Sequence, residues 1–306
     1  MTTDEVKRRY EAVSNWGRWG ADDARGTLNL ITAEVVTRAA TLVRSGRVIG
    51  CGRIDETPSV INPVPAAHHM LAAGDLPEDG CGIAADYLGI APHGASTTHI
   101  DAFCHIYFDG RMYNGHPASL VRSDGAQVNS IAALADGVTT RGILLDLPAV
   151  AGEPFWDPAR PITATDLDRA AELAGVEPGP GDALLLRVGR EPRRRLHGVA
   201  GERTADGSLF LAGPDASALP WLHDRDIALL GSDGGNDALP SPHTRERMPI
   251  HVGCLVFMGV HLIDNMHLED LHAACTAAGR FEFLFTVSPL PFARATGSPV
   301  NPIAVL

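Results

Sequence analysis

Cysteine is scarce in this sequence and is not arranged as a framework. Five cysteines lie at 51, 81, 104, 254 and 275, an odd number with no CxxC pair. That pattern excludes a disulfide scaffold and a zinc ribbon, and it fits reduced thiols in a cytosolic protein. Basic residues are also few: 25 Lys and Arg stand against 37 Asp and Glu, a formal net charge of −12. Nucleic-acid binding draws its affinity from clustered cations, so this balance argues against such a partner. The one basic run, "GREPRRRLHG" with Arg193, Arg194 and Arg195, reads as a solvated loop. Aromatic residues make up 6% of the chain, too few and too scattered for a base-stacking platform. No apolar run approaches the roughly 18 residues of a membrane span. The opening "MTTDEVKRRYEAVSNW" has no apolar core of a secretory signal. A cytoplasmic protein without a membrane partner is the expectation.

Signature loops are missing as well. "GCG" at 50–52 lacks the third glycine of a dinucleotide fingerprint, and no P-loop is present. "GSDGG" at 231–235 has its serine second rather than third, unlike a nucleophile elbow.

What is present describes an ordinary globular chain. Its 306 residues can bury a sizeable core, and 45% hydrophobic with 20% charged residues is usual for that class. No repeat and no clear linker appears, so one domain over 1–306 is expected, with a helical arm over about 1–46. Helices are expected at 4–15, 32–46, 163–175 and 268–279, the second and third opening on a threonine cap. Strands are expected at 47–54, 84–91, 141–150, 181–189, 224–233, 280–290 and 299–306. Residues 249–265 read as a helical turn or two running into a strand, and 57–82 as a long surface loop. Strands and helices intermix without a strict βαβ rhythm, which indicates a mixed α/β fold rather than a doubly wound sheet.

One stretch concentrates reactive side chains. "STTHIDAFCH" at 96–105 carries His99, Asp101 and His105. Alternate residues of an extended segment share a side, so His99 and Asp101 project together. An imidazole beside a carboxylate suits Zn²⁺ or Mn²⁺ more than a soft thiolate site. His105, four residues beyond Asp101, is in reach as a ligand or a general base. The same spacing also describes a structural histidine pair with Asp101 capping a turn, and spacing alone leaves the two open. Further ligands would have to come from elsewhere, and "IHVGCLVFMGVHLIDNMHLED" offers His251, His261, Asp264, His267, Glu269 and Asp270.

The stretch resembles the HxGTHxDxPxH signature of the cyclase family that includes bacterial kynurenine formamidase and isatin hydrolase. "SNWGRWGADDARGTLNLIT", "RGILLDLP", "GDALLLRVGR", "LLGSDGGND" and "FLFTVSPLPFARATGSPVNPIAVL" are similar to that family in the same order, from about residue 15 to the end. The resemblance implies a swivelling β/β/α domain assembled as a homodimer or homotetramer. It implies His99 and Asp101 as metal ligands, His105 as catalytic acid and base, and His251 with Asp264 completing the site. Three departures stand out: the first signature His is Ala95, the later acidic residue is Asp264 rather than Glu, and the signature proline is Phe103. One divalent ion, Zn or Mn, on His99, Asp101 and His251 is therefore expected in place of two. His93, two residues before Ala95, is a candidate replacement ligand. Trp16, Trp19 and Phe103 are candidates to line a substrate pocket. Asp233 and Asp237 read as capping or turn residues before ligand-orienting ones, Cys104 as a buried inert thiol, and His261, His267 and His272 as ordinary surface or partly buried histidines.

These readings point to a hydrolase acting on a small cyclic or aryl amide, lactam, lactone or ester through metal-activated water. A cyclase or dehydratase using the same ion as Lewis acid is the enzymatic alternative. A metal-free small-molecule-binding protein on the same fold is the alternative from another class.

Overall fold

The computed structural model describes residues 3–54, 64–75, 80–243 and 245–306. Its strands are β1 (Val48–Gly50), β2 (Ala67–Asp75), β3 (Gly82–Gly89), β4 (His99–Asp101), β5 (Val121–Arg122), β6 (Gly125–Ala126) and β7 (Val138–Asp146). They continue with β8 (Ala183–Arg187), β9 (Leu229–Ser232), β10 (His261–Asp264), β11 (Glu282–Val287), β12 (Gly297–Pro299) and β13 (Ile303–Val305). The α-helices are α1 (Thr3–Glu11), α2 (Ala33–Ala40), α3 (Leu147–Ala151), α4 (Ala164–Ala174), α5 (Arg190–His197), α6 (Leu219–Asp224), α7 (Pro249–His251) and α8 (Glu269–Ala278).

Nine strands form one sheet in the order β1-β13-β11-β7-β8-β9-β10-β4-β12. Its middle, β7 through β10, is parallel, and both flanks are antiparallel. The mixed α/β fold read from the sequence is the one found. Apolar runs form its centre because both faces are covered: all five residues of "ALLLR" in β8 are buried. Alternation divides them, with Ile143, Leu145, Leu184 and Leu186 in one core and Leu144, Ala183 and Leu185 in the other. The first core takes side chains of α1, α4, α6 and residues 250–258; the second takes those of α8.

Several expected elements change length. The strand expected to reach 150 stops at Asp146, where Pro148 enters the first turn of α3. Helix α4 has the expected limits, between a Thr163–Asp166 capping box and a left-handed Gly175. Strand β9 is shorter than expected, and α6 precedes it. The surface loop expected at 57–82 contains β2, while 55–63 and 76–79 lie outside the described residues.

The N-terminal segment is built into the body of the protein. Val6, Tyr10 and Val13 are buried, and Tyr10 stacks on Phe257. Further along, Gly26 meets the 258–260 turn so closely that a Cβ there would lie 1.9 Å from the Gly259 carbonyl oxygen. Only glycine permits that approach, and Thr27 locks it by donating to the Ala228 and Gly259 carbonyls at 3.0 Å each.

Candidate metal and proton-transfer centre

Strand pairing brings the two halves of the centre together. In the antiparallel β4–β10 pair, His99 lies opposite Asp264, so the two side chains rise from one face although 165 positions separate them. Asp101 shares that face two residues along. Donor atoms of His99, Asp101 and Asp264 all lie within 4.8 Å of one another. His251 enters from α7 with its Nε2 3.6 Å from Asp101 Oδ2 and 3.4 Å from Asp264 Oδ2. His99 Nε2 stands 3.5 Å from Asp101 Oδ1. All four residues are buried.

Neighbours fix which nitrogen each ring presents. His99 Nδ1 donates to the Thr97 carbonyl at 2.8 Å, leaving Nε2 as a free donor atom for a metal. His251 Nδ1 is held at 2.5 Å by Asp237 Oδ2, whose carboxylate also accepts the Ile250 and His251 amides. Asn236 donates to Asp264 Oδ1 at 2.5 Å. Both Asn236 and Asn265 take left-handed backbone, with φ of 52° and 59°, a conformation asparagine tolerates better than most side chains.

A second group of donor atoms adjoins the first at Asp101. Donor atoms of His93, Asp101 and His105 also lie within 4.8 Å of one another. His93 Nδ1 comes to 2.9 Å from Asp101 Oδ1, and its ring stacks on His105 at 3.7 Å between centroids. Its Nε2 pairs with Thr296 Oγ1 at 2.9 Å. Gly297 makes room: a Cβ there would lie 2.8 Å from the His93 ring. His93 thus reaches the centre from before the substituted position. Ala95 itself packs against Leu211, while its carbonyl accepts from Arg190.

The electrostatics fit a cation. Asp101 is fully enclosed, yet neither of its carboxylate oxygens nor His93 Nδ1 meets a hydrogen bond of proper geometry. A buried ionised carboxylate without partners is costly unless a positive charge faces it. Burial would raise the Asp101 pKa, but His93, His99, His105 and His251 outweigh it and hold the group well below the usual range. Burial would lower His251, but Asp264 and Asp237 draw it far above the imidazole range. The carboxyl groups of Asp101, Asp237 and Asp264 all face His251, a set of oxygen and nitrogen donors of the kind that holds a divalent ion. His105 is different: burial pushes it down to about 4, so it is neutral and able to accept a proton at pH 7.

Other expected residues lie elsewhere. Trp16 donates to the Val256 carbonyl at 2.6 Å and stacks on Phe257, and Trp19 lies under the Arg18 guanidinium; their described contacts are not with the His–Asp cluster. Phe103 is fully buried, its ring against His261 at 3.9 Å and Tyr113 at 4.7 Å. Cys104 is buried with its thiol pushed up to about 12 by burial, the inert thiol expected. Asp233 accepts the Val188, Gly189 and Arg190 amides at the start of α5, as a capping residue does. His261, read as surface or partly buried, is instead enclosed and donates from Nδ1 to the Asp101 carbonyl at 2.8 Å. Asp237, expected as a capping or turn residue before a ligand-orienting one, does both: it caps α7 and orients His251 across 14 positions.

A mixed α/β sheet carrying a buried His–Asp centre defines the class. The chain belongs to the family described as putative cyclase, whose model matches residues 53–236, more than half of its length. A solved structure described as a novel cyclase superposes with a TM-score of 0.85 at 29% identity, over 97% of this chain and 99% of its own. Isatin hydrolase A from Labrenzia aggregata, bound to benzyl benzoate, follows at 0.62 and 18%, over 87% and 94%. A predicted metal-dependent hydrolase from Bacillus stearothermophilus superposes at 0.51 and 15%, over 84% and 97%. The last two are likenesses of fold. Among curated proteins, none matches. No helix among the described residues is long and apolar enough to cross a membrane.

Proposed function

We propose that this chain is a metal-dependent hydrolase that cleaves an amide, lactam, lactone or ester bond in a small cyclic or aryl substrate. The observation that carries this reading is Asp101: two buried, unbonded carboxylate oxygens faced by ring nitrogens of His93, His99 and His251. His99, Asp101, His251 and Asp264 would hold one zinc or manganese ion, with His93 as a further donor. Bound there, such an ion would polarise a carbonyl and acidify water.

The chain's own residues supply the rest. His105, neutral at pH 7, takes a proton from water on the ring nitrogen nearest Asp101 and returns it to the leaving amine or alkoxide. The carbon–nitrogen or carbon–oxygen bond of the substrate breaks as the water oxygen bonds the carbonyl carbon. Asp237 holds the Nδ1 proton of His251, so that Nε2 is the ring atom turned to the centre and the one that would exchange its proton for the ion. Trp16, Trp19 and Phe103 remain candidates to shape the space beyond the centre. A homodimer or homotetramer in the cytoplasm belongs to the same proposal.

Elemental analysis of wild type beside His99→Ala and His105→Ala tests it. About one ion per chain is expected in wild type and none in His99→Ala. His105→Ala should keep its ion and lose about 10²- to 10⁴-fold in turnover on a panel of aryl amides and lactones. Loss of the ion from His105→Ala would make that residue a ligand. No ion in wild type after reconstitution would sink the reading and favour a metal-free binding protein.

The family description supports a second reading, a cyclase or dehydratase using the same centre. Product mass separates the two, because hydrolysis adds a water and cyclodehydration removes one.

A further inference from the structure

A cavity of about 520 Å³ is lined among others by Arg203, Arg247, His243, Leu209, Leu239 and Met248. Its walls continue the segments that build the His–Asp cluster. Leu239 follows Asp237 by two residues, and Met248 precedes His251 by three. Leu209 and Leu239 pack on the Ala95–Leu211 pair, and Leu211 and Leu239 exchange backbone hydrogen bonds at 2.9 Å. Ala95, where the resemblance places a metal ligand, thus packs in the same small apolar cluster as two of the cavity's lining residues, Leu209 and Leu239.

The lining combines two kinds of side chain, apolar and polar. Leu209, Leu239, Met248 and Pro240 are apolar, Ser208 and Ser241 are neutral and polar, and Arg203, Arg247 and His243 bring two guanidinium groups and an imidazole in a chain whose formal net charge is −12. Some of that positive charge is engaged: His243 Nε2 stands 3.6 Å from Asp215 Oδ2, and an Arg203 terminal nitrogen donates to the Gly207 carbonyl at 2.5 Å. Arg247 is exposed and has no ion-pair partner among the described residues. The volume falls in the range of small-molecule sites, which are mostly apolar with a few placed polar groups. A guanidinium fork matches a planar carboxylate in geometry as well as charge.

We propose that this cavity binds the carboxylate of an aryl or cyclic acid, with the ring against Leu209, Leu239 and Met248 and the carboxylate on Arg247 and Arg203. The inference rests on the hydrolase reading and narrows it: the substrate carries an acidic group.

Benzoate and its neutral isostere benzamide are the probes, titrated by calorimetry into metal-stripped wild type, so that a carboxylate cannot bind through an ion. Benzoate is expected to saturate the metal-free protein at least about tenfold more tightly than benzamide, and Arg247→Met to remove that preference. Because Arg247 is exposed, this variant is not expected to disturb folding; Arg203→Met is the second variant and should weaken benzoate in the same direction. Equal affinity for the two probes, no binding to the metal-free protein, or benzoate binding unchanged in Arg247→Met would each overturn the proposal. Inorganic phosphate binding as tightly as benzoate would overturn the carboxylate assignment. Failure of the hydrolase reading would appear instead in metal content and turnover, which this titration does not touch.

Discussion

Asp237 illustrates how much one buried carboxylate can determine. It binds His251 Nδ1 and two amides at the start of α7, and burial raises its pKa. An acceptor on Nδ1 fixes the ring with Nε2 turned to Asp101 and Asp264. Asparagine could keep the shape while losing the charge and the certainty of the tautomer. Asp237→Asn is expected to weaken metal binding about 10- to 100-fold, measured by competition with a chelator, while its far-ultraviolet dichroism stays that of wild type. Unchanged affinity would reduce Asp237 to a cap of α7. Residue type and order made His99, Asp101 and His105 legible in the sequence, because all three lie within one short segment. Asp237 was legible only as a capping, turn or orienting candidate, since nothing local marks which side chain 14 positions away it acts on.

At the scale of the element, α5 is where sequence reading and structure differ most. The run "GREPRRRLHG" reads as a solvated loop, but residues 190–197 form a helix over a buried ion network. Arg190 and Arg194 both grip Glu202, at 2.5 and 2.9 Å on Oε1, and Arg190 reaches on to Asn265 Oδ1 at 2.6 Å. Arg195 alone fits the solvated expectation, being exposed and paired with Glu191. A charge run reveals composition, but whether a charge is buried depends on a partner supplied by another segment. Burial would raise the Glu202 pKa, yet Arg190 and Arg194 bring it down from 4.5 to about 2. Its folded value is thus below the unfolded one, so its stabilisation is present above about pH 4.5 and is lost as pH falls toward 2. Urea midpoints at pH 6, 4 and 2 should fall over that window. Glu202→Gln should cost about 3–5 kcal/mol at pH 6 by stranding two arginines, and flatten the fall. A midpoint as steep in the variant would assign the acid sensitivity to other carboxylates.

At the scale of the whole molecule, one pair of described strands presents an open apolar surface. The β2–β3 hairpin pairs with no strand of the nine-stranded sheet, and Met70, Leu71, Ile83, Tyr87 and Leu88 are all exposed. A two-stranded hairpin is marginal by itself in water, and clustered exposed apolar side chains mark an interaction surface. A second copy of this chain is the occupant that the proposed oligomer supplies. Light scattering should give a dimer or tetramer, and the double variant Leu71→Glu, Leu88→Glu should shift it toward monomer with metal content unchanged. A monomeric wild type would remove the oligomer from the proposal.

The sequence by itself carried the mixed α/β class and the sheet-forming apolar runs, and it brought His99, Asp101 and His105 forward as candidates. Each of these is written in neighbouring residues: continuous burial in "ALLLR", capping at Thr163, alternation in "HID". Tertiary structure alone decided how the centre closes. The β4–β10 register sets His99 opposite Asp264, a close backbone approach at Gly297 admits the His93 ring, and Asp237 turns His251 inward. Periodicity is a local property and can be read along the chain, whereas register, tautomer and close approach arise only when distant segments share one surface.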